Sequence, residues 1–291
     1  LRGPVARFIY RPFLPWVASL LPFDSADSFA LVNLVSVVAG LWFLVDALYL
    51  SGRSPRAQLL GAGLYVFALP VLVFTSSLYI DGGAMAFLVF GYWLMKRRWW
   101  WAVVAFLPLS YFVKESLLAL APAAAWAWRT TGHRFRDGRF VAGAVISLVG
   151  WYAASKVARL WAPDPLYSYN VLPKLSYLGG NLGNLKSMLF FVMGTAPVVV
   201  LAVLAMWRIA RSDGARALVD APWGEDVVGL AVLVLVNVYS LVSTDLTLRT
   251  GWLVYPFAIA LSALWLDQVL GDDRAPSWTS ALARRPAPAS A

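Results

Sequence analysis

Apolar residues run along this chain in stretches too long and too uniform for the two-sided pattern of a soluble helix. The first, 29–50, carries one charged residue, Asp46. Others follow near 57–78, 82–95, 99–113, 116–128, 140–157, 185–207, 226–243 and 250–267. About 20 residues of helix cross roughly 30 Å of hydrocarbon, and in lipid every backbone polar group must be satisfied internally. The pattern therefore predicts an all-α, polytopic transmembrane bundle of about nine spans over residues 24–270, two of them short. Residues 1–23 do not fit a span: Arg2, Arg7 and Arg11 alternate with aromatic and aliphatic side chains, and Pro4, Pro12 and Pro15 interrupt the run. An amphipathic segment lying in the outer interface is expected there, and the Pro- and Ala-rich 271–291 reads as a disordered cytoplasmic tail.

Composition agrees and removes alternatives. Of 291 residues 60% are apolar, against roughly 45–50% in soluble domains. The net charge of +9 comes without a basic run or an aromatic–basic module, which argues against nucleic acid as a partner. With no Cys and only His133, the chain has no disulfide framework, no thiolate nucleophile and no Cys or His metal cluster. Any chemistry falls to carboxylates, Lys and Arg.

Those charges divide by side. Fifteen of the 24 basic residues fall in alternate loops, at Arg53 and Arg56, at Lys96 to Arg98, around Arg129 to Arg139, at Arg208 to Arg216, and in the tail. The positive-inside rule makes that set cytoplasmic. The nine-span reading then starts outside and ends inside, which predicts that a further span and outer loop precede Leu1. The cytoplasmic loops look short and bland. The outer side holds Tyr79-Ile80-Asp81-Gly82-Gly83, Lys114-Glu115, a long loop over about 158–184, and Ser243 to Arg249.

Four groups there are candidates. Asp81 precedes two glycines that would permit a tight turn and a close backbone approach to a ligand; a helix cap is the plainer role. Lys114 and Glu115 interrupt an apolar stretch from Trp99 to Trp128, where Pro108 and Pro122 are expected to bend helices. Charges cost roughly 2.5–3.5 kcal/mol near mid-bilayer, so the pair marks either an interface or a polar site. On a helix the two would point about 100° apart and meet different partners. Asp245 and Arg249, four apart, would share a helix face, as a phosphate fork or as a plain ion pair. Asp46 reads as a span boundary and Trp99-Trp100-Trp101 as an interfacial belt.

The order of these features resembles the GT-C superfamily of membrane glycosyltransferases that use polyprenyl-phosphate sugars, especially its bacterial cell-surface glycopolymer branch. Tyr10-Arg11-Pro12-Phe13-Leu14-Pro15-Trp16 is similar to the Tyr-Arg and Leu-Pro segment after the first outer loop of such proteins. Tyr79 and Asp81 resemble their Tyr-x-Asp element, Lys114-Glu115 with Pro122 their basic-Glu and later Pro, and Asp245 to Arg249 with Tyr255-Pro256 their late Asp, Arg and Pro. The resemblance implies sugar transfer from a lipid-phosphate donor to a glycan or lipid-linked acceptor outside a bacterial plasma membrane. It implies Asp81 and Glu115 as catalytic carboxylates, and Tyr79, Lys114, Asp245, Arg249 and Arg11 as substrate contacts; Arg7, on the same basic arm as Arg11, is expected to add positive charge for the substrate. The family's principal carboxylate lies in the first outer loop, expected upstream of Leu1. No protein metal site is expected, and a divalent metal brought with the substrate stays open. The rivals are a secondary transporter or flippase and a non-catalytic scaffold.

Overall fold

The computed structural model describes residues 12–75, 81–161, 175–221, 223–243 and 252–270. Among these residues the chain is predominantly helical, with no strand. The elements are α1 (Phe13–Ser19), α2 (Ser25–Leu50), α3 (Pro55–Val66), α4 (Leu69–Thr75), α5 (Asp81–Lys96), α6 (Trp100–Leu109), α7 (Ala121–Thr130), α8 (Gly138–Trp161), α9 (Leu175–Gly183), α10 (Leu185–Asp213), α11 (Ala217–Asp220), α12 (Gly224–Ser243) and α13 (Tyr255–Leu270).

Local sequence sets several boundaries. The Asp24 carboxylate accepts from the amides of Ala26 and Asp27, both at 2.9 Å, and so starts α2. Ser54 caps α3 through the Ala57 amide, with Pro55 in the first turn, where its missing N–H costs nothing. Pro108 sits in the last turn of α6, after which the chain tightens into a 3₁₀ turn over Ser110–Phe112. Pro122 lies in the first turn of α7, behind a 3₁₀ stretch, Glu115–Leu120. The expected bends are thus changes of helix type near a break rather than kinks within one rod.

Four helical stretches are long and apolar enough to cross a membrane: Ser25–Leu50, Gly138–Ala158, Met188–Asp213 and Trp252–Leu270. Their environments differ. The most apolar window of the last is 61% buried by other helices, while those on α8 and α10 are 22% buried. On α8 the outward residues are Val141, Val145, Ile146, Leu148, Val149 and Tyr152, an exposed apolar face that suits lipid and not water.

At the centre is α5, buried along nearly its whole length. Close approach accounts for its glycines: a Cβ on Gly91 would lie 2.5 Å from the Phe106 ring, and one on Gly83 would lie 2.6 Å from Leu14. Gly82 and Gly83 belong to the first turn of α5, not to a tight turn, and what their bareness admits is Leu14 and Asn33. The Asn33 side-chain oxygen accepts from the Gly83 amide at 3.2 Å, satisfying one donor that a helix start leaves open.

Contacts fix the helix directions. Asn33 meets Gly83, and farther along Asp46 accepts from Trp93 (2.6 Å) and Arg97 (2.7 Å), so α2 and α5 run parallel. Ser262 donates to the Val198 carbonyl at 2.8 Å and Tyr255 to that of Gly194, so α10 and α13 are also parallel. Ser147 donates to Val104 while Gly150 abuts Pro108, aligning α8 with α6. Asp81 and Lys96 consequently mark opposite ends of the bundle, separated along α5 by about 22 Å at 1.5 Å per residue. In the expected interfacial segment, α1 buries Leu14 and Ala18 against the bundle and leaves Trp16 outside. Within the expected loop at 158–184, Leu175–Gly183 is helical.

Candidate functional site

Lys114 is where the chain breaks helix. Its backbone is extended, with φ −166° and ψ 122°, between the 3₁₀ turn that ends α6 and the one that leads into α7. The expectation of two neighbours 100° apart on a helix therefore does not apply. The extended residue instead turns its side chain back toward the head of α5. There Lys114 Nζ lies 2.8 Å from Asp81 Oδ1, with the Asp81 side chain sealed and that of Lys114 11% exposed. The ammonium also rests 4.5 Å from the ring centre of Trp252, itself fully buried at the start of the last helical segment among the described residues. Cation–π attraction strengthens when both partners are desolvated. Three sequence-distant segments thus converge on one ammonium group.

Glu115 follows directly, half-buried at the head of the 3₁₀ turn. A carboxylate at either helix start is also favoured by the positive end of the helix dipole. Tyr79, Asp245, Arg249, Arg7 and Arg11 lie outside the described residues. Two cavities of about 210 and 390 Å³ are bounded by described residues, and neither is lined by Asp81, Lys114 or Glu115. Among the described residues, no three His, Asp or Glu side chains are grouped to hold a metal. The arrangement holds in register a carboxylate, which can accept hydrogen bonds and a proton, and an ammonium, which can donate.

Sequence reasoning missed the opposite end. The loops there are not bland: Lys96 Nζ lies 2.7 Å from Glu225 and 2.8 Å from Asp226, and Arg98 reaches Glu225 at 2.7 Å. Tyr92 donates to Asp226 at 2.9 Å, and Arg53 approaches the other Asp226 oxygen to 3.8 Å. The carboxylates and the Lys96 ammonium are almost wholly buried. The available signal was two adjacent carboxylates, Glu225-Asp226, heading an apolar run on a side otherwise rich in Lys and Arg. Asp46, read as a boundary marker, ties α2 to Trp93 and Arg97 at this same end. Of the tryptophan run, Trp99 and Trp101 are exposed, as a belt requires, while Trp100 packs edge-on against Trp128.

No protein-family model, curated protein or solved structure matches this chain.

Proposed function

We propose that this protein is an integral membrane glycosyltransferase of the GT-C kind, acting at the Asp81 end of its bundle. The observation that carries the reading is the Asp81–Lys114 ion pair, formed by two of the residues on which the sequence resemblance rests. In this reading the chain crosses nine times with its basic loops cytoplasmic, so that the Asp81 end faces outside a bacterial plasma membrane and the C-terminus lies in the cytoplasm. The donor is a polyprenyl-phosphate sugar, and the acceptor a cell-envelope glycan or lipid-linked glycan.

In the transfer, the acceptor hydroxyl loses its proton to a carboxylate, its oxygen bonds to the anomeric carbon, and the bond from that carbon to the phosphate oxygen breaks. Asp81 and Glu115 are the carboxylates of this chain assigned to the proton. Lys114, with Arg249, Arg7 and Arg11, holds the phosphate that gains charge as it leaves. Tyr79 and Asp245 orient the sugar and the Arg249 fork. An acceptor hydroxyl must compete with Lys114 for Asp81, so donor phosphate drawing the ammonium away would free the carboxylate at the moment of need. A transporter instead needs polar groups near mid-membrane. The central turns of α5 bury Met85, Leu88 and Val89 and offer no such group on that helix.

The test is transfer of a labelled sugar from synthetic polyprenyl-phosphate donors to envelope glycan, by the full-length protein in proteoliposomes. Transfer that Asp81→Asn abolishes at normal membrane insertion is expected. Uptake or flipping without transfer would replace this reading with the transporter.

A further inference from the structure

The C-terminal turns of α10 and α13 flank an open cleft of about 390 Å³ at the Lys96 end of the bundle. Its walls carry Trp207, Arg208, Arg211 and Ser212 from α10, and Trp265 and Val269 from α13. Arg208 and Arg211 are one helical turn apart, so their guanidinium groups project from one side of α10. Arg211 stacks on Trp207, 5.4 Å from the ring centre. Among the described residues neither arginine is ion-paired, whereas Arg53, Lys96, Arg97 and Arg98 at the same end all are.

We infer that this cleft binds the phosphate of an anionic phospholipid from the leaflet at the Lys96 end. Charge supplies the first argument: two guanidinium groups offer paired donors that fit phosphate oxygens, with Ser212 as a further donor. Continuity with apolar surface supplies the second. Above the cleft, Val200 and Val203 of α10 are exposed, as are Val269 and Leu270 beside it, so a head group seated here has a place for its acyl chains. The two indoles suit the junction of head group and hydrocarbon. A carbonyl-rich helix end by itself attracts one or two cations, but it does not account for both facing a cleft walled by a second helix. The inference is independent of the transferase reading and requires only that α10 and α13 lie in a bilayer.

The experiment uses the full chain in phosphatidylcholine nanodiscs with and without phosphatidylglycerol, one lipid at a time carrying brominated acyl chains that quench nearby indoles. Trp207→Phe identifies the share of quenching that arises at Trp207. Phosphatidylglycerol is expected to quench Trp207 in preference to phosphatidylcholine. Arg208→Gln and Arg211→Gln should each weaken that preference about fivefold, the worth of one basic residue at an anionic surface. Equal quenching by the two lipids, or an unchanged preference in the double variant, overturns the site. Displacement of the lipid by millimolar inorganic phosphate assigns the cleft to a soluble anion and overturns the lipid assignment.

Discussion

Lys96 Nζ lies 2.8 Å from Asp226 Oδ1, with both side chains sealed from solvent, and this contact joins the end of α5 to the start of α12. The same ammonium reaches Glu225, and Tyr92 shares the Asp226 oxygen from one turn back on α5. Buried ion pairs often add little net stability, yet removing one partner strands the other and costs about 3–5 kcal/mol. Lys96→Met should accordingly lower the thermal unfolding temperature in detergent sharply. Combining it with Asp226→Leu should cost less than the sum of the two single changes, because the groups are coupled. Additive losses would mean that the contact contributes nothing as a pair.

This network shows what sequence pattern conveys and what it hides. The apolar stretches were legible because burial in lipid or protein demands uniform hydrophobicity over a whole helix, and 29–50 and 226–243 fall inside α2 and α12. Lys114 was legible as costly, since an isolated charge in an apolar run has few cheap explanations. That Lys114 turns to Asp81 was not, because it depends on an extended residue between two 3₁₀ turns. Lys96 misled for the opposite reason. Placed beside Arg97 and Arg98 it reads as solvated charge, and only the tertiary meeting of α5 with α12 shows it buried on two carboxylates. Gly82 and Gly83 misled likewise, since small residues serve close helix packing as readily as turns.

At the Asp81 end, structural and catalytic roles can be separated by the same logic. Asp81→Asn or Lys114→Met alone removes one half of a buried pair and should destabilise the protein by about 3–5 kcal/mol. The double variant removes both members of the pair and should recover much of that loss. If the pair serves transfer, the double variant remains inactive although folded and inserted. Measuring unfolding and sugar transfer on all three decides between roles, and a double variant with wild-type turnover would leave the pair purely structural.

Glycine substitutions test the packing around α5. Gly91→Ala puts a methyl group 2.5 Å from Phe106 and 2.6 Å from Leu120, two side chains that are themselves buried, and should cost about 1–3 kcal/mol by overpacking. Gly63→Ala is the matched control: it lies within α3 with nothing within 4 Å of the new Cβ. There the gain in helix propensity should stabilise by about 0.5–1 kcal/mol. Thermal melts of the two variants should therefore move in opposite directions, and a neutral Gly91→Ala would show that α5 and α6 are less tightly apposed.

The orientation of the bundle rests on α8, and one pair of labels can test it. This helix of 24 residues is about 36 Å long at 1.5 Å per residue, enough to pass the roughly 30 Å of hydrocarbon. If it crosses, the segments before and after it must face opposite compartments. Arg136 stands in the exposed turn before it, beside Arg134 and just ahead of Arg139 in the first turn of α8, and Tyr169 follows the helix in sequence. Insertions after Arg97 are a poor alternative, because Lys96 and Arg98 on either side are committed to Glu225. The chain has no Cys, so a single introduced thiol reports without background. Tyr169→Cys should react with a membrane-impermeant maleimide in intact cells, and Arg136→Cys only after the membrane is opened. Labelling of both from one side would remove α8 as a span. The reverse pattern would turn the Asp81 end toward the cytoplasm, and with it the assignment of transfer to the outer face would fall.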